Sequence, residues 1–173
     1  MWQSYQKGFI SYLMLEKGMS PNSIQAYTDD VNKLISWIAE YNPSIAVKSM
    51  TYNDLSLFLQ WLNELGLGDK SQARILSGIK SFFKYLLLEN VIVDDPSELL
   101  ESPKLRRKIP DTLSYTEIEQ IITHIDLSHP QGQRNRAIIE TLYACGIRVS
   151  ELIGLRLSHY FPDLGVIRVI GKN

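Results

Sequence analysis

The sequence has 173 residues, 45% of them apolar, and a formal charge of −1 from 18 basic and 19 acidic residues. That length suits one large domain or two small ones. No apolar run approaches the ~18 residues of a membrane helix, the opening Met1–Lys7 leads into no signal-peptide core, and a lone Cys145 excludes an internal disulfide or a cysteine metal site and suits a reducing cytoplasm.

In chain order, residues 2–17 read as a helix ending near Gly18. Ser20-Pro21 supplies an N-cap with proline at the first helical position. The helix that follows carries Ile24, Tyr27, Val31, Leu34, Ile35 and Ile38 on one stripe and stops before Asn42-Pro43. Thr51 with Asp54 forms a capping box. It opens a third helix through Leu55, Phe58, Leu59 and Leu62, closed by Gly66 and Gly68. A fourth runs from about Lys70 to Glu89 with Ile75, Ile79, Phe82, Phe83 and Leu86 on its apolar side. Four helices on short connections predict a compact all-α domain.

Asp94-Asp95-Pro96 breaks the pattern, and a helical turn is expected at Ser97–Leu100. The stretch from Ser102 to Pro110 is polar, basic and proline-flanked, which reads as an interdomain linker. Ser114 and Glu117 make a second capping box, for a helix to about His124. The next helix covers Gln133–Ala144, ends at Cys145-Gly146 and places Tyr143 in the core; another begins near Arg148. Residues 165–171 alternate Val166, Arg168 and Ile170 against Ile167 and Val169 between glycines, so they predict a strand, with Tyr160 in the loop before it and no partner strand in the chain.

Net charge averages over faces, whereas binding depends on local potential. Lys104, Arg106, Arg107 and Lys108 crowd residues 103–108 with no acid among them. Arg134, Arg136, Arg148, Arg156, Arg168 and Lys172 face only Glu140, Glu151 and Asp163 over residues 134–172. On the fourth helix, at about 100° per residue, Lys70, Arg74, Ser77, Ser81 and Lys84 share one quadrant opposite the apolar stripe. Small hydroxyls between long cations suit contact with phosphates. The same face also reads as ordinary solvated surface, and the linker as a plain soluble one. A basic strap between two domains gains from counterion release on DNA.

Arg148 stands at the mouth of a helix, after Gly146 has ended the one before. A guanidinium there adds a planar fork of donors for an anion. Glu151, three residues on, shares its face. The alternative is an ordinary surface ion pair of ~0–1 kcal/mol.

Ala144-Cys-Gly-Ile-Arg148-Val-Ser-Glu151-Leu-Ile-Gly-Leu closely resembles the first catalytic-arginine motif of the tyrosine recombinase (phage integrase) family. Val169-Ile-Gly-Lys172 resembles that family's hairpin bearing the catalytic lysine. Ser20-Pro-Asn-Ser-Ile-Gln-Ala-Tyr27-Thr-Asp-Asp30, Arg74-Ile-Leu-Ser77-Gly-Ile-Lys80-Ser-Phe-Phe and Asp95-Pro-Ser-Glu-Leu-Leu-Glu-Ser-Pro103-Lys resemble its SAM-like core-binding domain, the nearest fit being the Xer-type recombinases of bacteria. The resemblance implies a mainly α chain: a four-helix SAM-like core-binding domain over 1–102, a basic linker over 103–109, and over 110–173 the helical start of an α+β catalytic domain ending in a strand. It implies cleavage of DNA by a tyrosine hydroxyl through a 3′-phosphotyrosine, with no metal or other cofactor. Arg148 would bind the non-bridging phosphate oxygens, Glu151 would orient it, and Lys172 would protonate the departing 5′ oxygen. Lys70, Arg74, Ser77, Lys80, Ser81, Lys84, Lys104, Arg106, Arg107 and Lys108 would contact DNA. The implied partners are double-stranded DNA with inverted half-sites, further recombinase subunits in a tetramer, and a DNA translocase.

The family also needs a His-x-x-Arg pair, a further His or Trp, and the nucleophilic tyrosine, all after the lysine. None of His124, His129 and His159 has arginine three residues on, and the hairpin runs Gly171-Lys172-Asn173 where the family has Gly-Lys-Gly. The expectation is a chain that binds DNA without cleaving it. The near-neutral charge favours the competing expectation, an α-helical protein-interaction module with no DNA role.

Overall fold

The computed structural model describes residues 2–104 and 109–171. The chain divides into two compact units, Met1–Arg107 and Lys108–Asn173. In the first, α1 (Trp2–Leu15), α2 (Pro21–Tyr41), α3 (Tyr52–Glu64) and α4 (Asp69–Leu88) follow one another, with a 3₁₀ turn at Val47–Ser49 between α2 and α3.

The local signals act as expected. Ser20 caps α2, its hydroxyl accepting from the Ser23 N–H at 3.4 Å, with Pro21 in the first turn. At α3 the Thr51 hydroxyl accepts from the Asp54 N–H at 3.3 Å while the Asp54 carboxylate accepts from the Thr51 N–H at 2.9 Å. Caps of this kind stabilise a helix by ~0.5–2 kcal/mol.

The apolar stripes then decide the packing. α4 lies against each of α1, α2 and α3. Its Ile75, Ile79, Phe82, Phe83 and Leu86 are all buried, beside Phe9 and Leu13 of α1, Val31 and Leu34 of α2, and Leu55, Phe58 and Leu62 of α3. Phe9 meets Phe82 edge-on, ring centroids 5.3 Å apart, a geometry favoured by the ring quadrupoles.

After α4 the chain turns back onto this core. Asp95 accepts from both the N–H (2.8 Å) and the hydroxyl (2.6 Å) of the fully buried Ser97. That ties a turn over residues 96–99 and brings Ile92 and Leu100 into the core.

The second unit holds α5 (Tyr115–Thr123), α6 (Gly132–Cys145), α7 (Val149–Ile153) and a two-stranded antiparallel sheet of β1 (Tyr160–Phe161) and β2 (Val166–Ile167). Ser114 and Glu117 cap α5 reciprocally. Gly146, at φ 60°, ends α6; a side chain strains that left-handed conformation, so glycine is the residue suited to it.

Two sequence expectations fail here. The strand is neither seven residues long nor unpartnered: only Val166–Ile167 is a strand, and Tyr160, expected in a loop, pairs with Ile167 as Phe161 does with Val166. A 3₁₀ turn at Pro162–Leu164 and a left-handed Gly165 (φ 63°) reverse the chain and make that pairing possible. Tyr143, expected in the core, is 50% exposed and lies 6.2 Å ring-to-ring from Tyr115. The reason is general to this unit: among the described residues from 109 to 171 no apolar side chain is buried, so there is no core for Tyr143 to join.

Candidate nucleic-acid interface and catalytic pocket

The polar face of α4 is built as the helical spacing predicts. Lys70, Ser77 and Lys84 are exposed, and Lys80 and Ser81 half-buried. The Lys80 ammonium donates to the Glu98 carbonyl at 3.2 Å. Lys104 is exposed, and Arg106, Arg107, Lys108 and Lys172 lie outside the described residues.

Arg74 is held differently from its neighbours. Nη1 donates to Asp30 Oδ2 at 2.9 Å and Nη2 to Asp30 Oδ1 at 2.7 Å, across from α4 to α2. The Asp30 side chain is 1% exposed and that of Arg74 50%. Burial pushes the Asp30 carboxyl above its ordinary value of 3.8, while the hydrogen bonds and charge of Arg74 work against the rise. Gly78, one turn along α4 from Arg74, makes the approach possible: a Cβ there would sit 2.8 Å from the Asp30 Cβ. One edge of the guanidinium thus faces a buried carboxylate, and half of the side chain remains open to solvent.

In the second unit Arg148 is the N-cap residue of α7. One Glu151 oxygen accepts from the Arg148 N–H at 2.7 Å and the other from Arg148 Nη1 at 2.7 Å. The two side chains differ in exposure, 78% for Arg148 and 11% for Glu151. The bond from the Arg148 N–H, then that from its guanidinium, hold the Glu151 carboxyl below its ordinary range. An exposed ion pair contributes only ~0–1 kcal/mol, so its effect is orientation: the guanidinium is tethered on one side and presented to solvent on the other.

Beside it lies a pocket of about 400 Å³ lined by Ser150, Glu151, Gly154, Leu155, Arg156, His159 and Ile170. Sequence spacing does not single out Arg156 and His159 as site residues. They join Glu151 because the 3₁₀ turn at Leu157–His159 folds back after α7. The Arg168 N–H, donating to the His159 carbonyl at 2.8 Å, fixes that turn beside the hairpin. Among the described residues no cluster of metal-ligating side chains occurs, and no helix is long and apolar enough to cross a membrane.

Residues 7–90 match the family model for the phage integrase N-terminal SAM-like domain, and residues 111–173 match that of the phage integrase family. The chain belongs to the tyrosine recombinase (phage integrase) family. It is 40% identical over 164 residues to tyrosine recombinase XerD of Proteus mirabilis, covering 95% of this chain and 52% of that protein. It is 38% identical over 164 residues to tyrosine recombinase XerC of Anoxybacillus flavithermus, covering 95% and 54%. The chain thus spans about half the length of the curated relatives it matches. Among solved structures, the recombinase fold is shared with a lambda integrase dimer bound to a COC′ core site (TM-score 0.73, 17% identity, 97% of this chain and 47% of that one). It is shared too with the Tn1549 transposon integrase in complex with circular intermediate DNA (TM-score 0.61, 18% identity, 90% and 50%).

Proposed function

We propose that this chain supplies the DNA clamp and the first catalytic arginine of a site-specific tyrosine recombinase. That enzyme cuts and rejoins DNA through a 3′-phosphotyrosine, for chromosome-dimer resolution or DNA integration, in the cytoplasm. The observation that carries the reading is Glu151 gripping both the backbone and the guanidinium of Arg148, in a segment the phage integrase model matches. A tethered, outward guanidinium suits the non-bridging oxygens of a scissile phosphate, where preorganised donors stabilise developing charge. Arg148 takes that role, Glu151 orients it, and Lys172 protonates the departing 5′ oxygen.

In this reading residues 1–102 form the core-binding domain, 103–109 a basic strap and 110–173 part of the catalytic domain. Lys70, Arg74, Ser77, Lys80, Ser81, Lys84, Lys104, Arg106, Arg107 and Lys108 face the DNA backbone. The duplex carries inverted half-sites, and further recombinase subunits complete a tetramer, on which a DNA translocase acts. No histidine of this sequence has arginine three residues on, so the 173 residues bind DNA without cutting it.

The test is a gel shift at low salt, where phosphate contacts count most, beside a nicked suicide substrate. A shifted duplex without a phosphotyrosine adduct is expected. An unshifted duplex overturns the binding, and an adduct overturns the inability to cleave.

A further inference from the structure

Away from the polar face of α4, the first unit carries a second recess with different chemistry. It is a pocket of about 260 Å³ between the end of α2 and one face of α3, lined by Trp37, Tyr41, Asn42, Asp54, Leu57, Gln60, Trp61 and Glu64. Its three lining rings join the buried Phe58 behind them in a closed circuit of contacts. Trp37 stacks on Tyr41 at 6.0 Å, Tyr41 meets Trp61 edge-on at 6.4 Å, Trp61 stacks on Phe58 at 5.9 Å, and Phe58 returns edge-on to Trp37 at 5.7 Å. Trp37 is the buried floor at 5% exposure, while Tyr41 and Leu57 stand open at 57% and 55%. Asp54 and Glu64 lie one at each end of the α3 stripe, and no basic side chain lines the pocket.

Aromatic faces attract cations through the ring quadrupole, and the carboxylates add the same sign of field. A phosphate would be repelled, so this is not a second DNA contact. The volume falls below the ~300–1,000 Å³ of sites that enclose a small-molecule ligand, which suits one side chain. Asp54 is already engaged by the Thr51 N–H and hydroxyl, whereas Glu64 accepts from one neutral amide, Gln60 Nε2, at 3.1 Å, so a purely apolar occupant would desolvate the Glu64 charge at a cost that a cationic one avoids.

We infer that this pocket docks a basic segment of a protein partner, seating one arginine or lysine side chain among Trp37, Tyr41 and Trp61 with Glu64 at its charged end. The surface is separate from the DNA-facing residues: none of Lys70, Arg74, Ser77, Lys80, Ser81 or Lys84 lines it. A planar guanidinium stacks on a ring as well as attracting it, so arginine is the stronger occupant.

The experiment is an NMR titration of the whole ¹⁵N-labelled chain with capped Gly-Arg-Gly, Gly-Lys-Gly and Gly-citrulline-Gly peptides, read at the indole N–H signals. The three tryptophans divide usefully. Trp37 and Trp61 line the pocket, whereas the Trp2 indole is buried and donates to the Ile45 carbonyl at 3.1 Å, so it serves as an internal control. The arginine and lysine peptides are expected to move Trp37 and Trp61 saturably at millimolar concentration and to leave Trp2 in place. Citrulline, with the shape but not the charge, should not. Glu64→Gln, on an exposed side chain, should weaken the arginine peptide by about threefold or more, as for one screened charge, with an unchanged melting temperature. The inference fails if no saturable shift occurs, if citrulline matches arginine, if Trp2 moves with the others, or if Glu64→Gln has no effect.

Discussion

Arg74 and Asp30 stand 44 positions apart and close a two-pronged ion pair, 2.9 and 2.7 Å, that fastens α4 to α2. The carboxylate is buried and the guanidinium half-exposed, so removing either partner is unequal to removing the other. Arg74→Ala leaves a buried charge without its donors and is expected to cost about 1.5–3 kcal/mol in urea denaturation. Asp30→Asn keeps an acceptor for one prong and should cost less.

Gly78→Ala tests the same contact from the side of space. A Cβ at 2.8 Å from the Asp30 Cβ forces α2 and α4 apart. The expected loss is about 1–3 kcal/mol, although alanine is the better helix former. An unchanged denaturation midpoint would refute the close approach.

The carboxyls give pH effects of opposite sign. Asp30 is raised above 3.8 by burial, so the folded state holds its proton more tightly than the unfolded chain. Its contribution to stability therefore falls as pH rises from 3.8 through the folded value. Glu151 is lowered from 4.5 by the Arg148 N–H and guanidinium. Its contribution is present above 4.5 and is lost as pH falls through the folded value. Carboxyl NMR titrations measure both directions, and Asp30→Asn should remove the first from the pH-stability curve.

Charge reversal separates a DNA clamp from a wet helix face. Lys70→Glu with Lys84→Glu, and separately Arg106→Glu with Arg107→Glu, should lower duplex affinity and reduce the salt slope by ~1 for each phosphate that is no longer neutralised. Unchanged slopes would return these residues to ordinary surface.

The two units should also differ in protection. The first has a continuous buried core, and among the described residues of the second no apolar side chain is buried. Amides of α5–α7 are expected to exchange with solvent at least about tenfold faster than those of α4, since local opening follows buried apolar contact. Hydrogen exchange by mass spectrometry reads this directly.

Much of the first unit is legible in the sequence because its determinants are local. Ser20-Pro21, Thr51 with Asp54 and the 3.6-residue stripe of α4 each act within a turn or two of themselves. Gly146 and the Arg148–Glu151 spacing are legible for the same reason. Asp30 as the partner of Arg74 is not, because the two meet only through helix packing. The β1–β2 hairpin escapes a reading by alternation alone, because its cause is the chain reversal at Pro162-Asp-Leu-Gly165. The ring circuit escapes too, because Trp37, Tyr41 and Trp61 lie off the apolar stripes read for α2 and α3.

The tie between Arg74 and Asp30 also shapes the electric field of α4. With that arginine's charge offset by Asp30, the positive charge of the polar face is carried by Lys70 and Lys84 at its extremes and by Lys80, whose ammonium keeps its charge while donating to the neutral Glu98 carbonyl. Fourteen residues at ~1.5 Å each put Lys70 and Lys84 roughly 21 Å apart along the axis, wider than the ~12 Å of a major groove. For the duplex proposed as its ligand, α4 then acts as a two-ended grip. Its poles attract the phosphate rows on either bank, and Arg74, tied to Asp30, contributes aimed donors with little long-range pull.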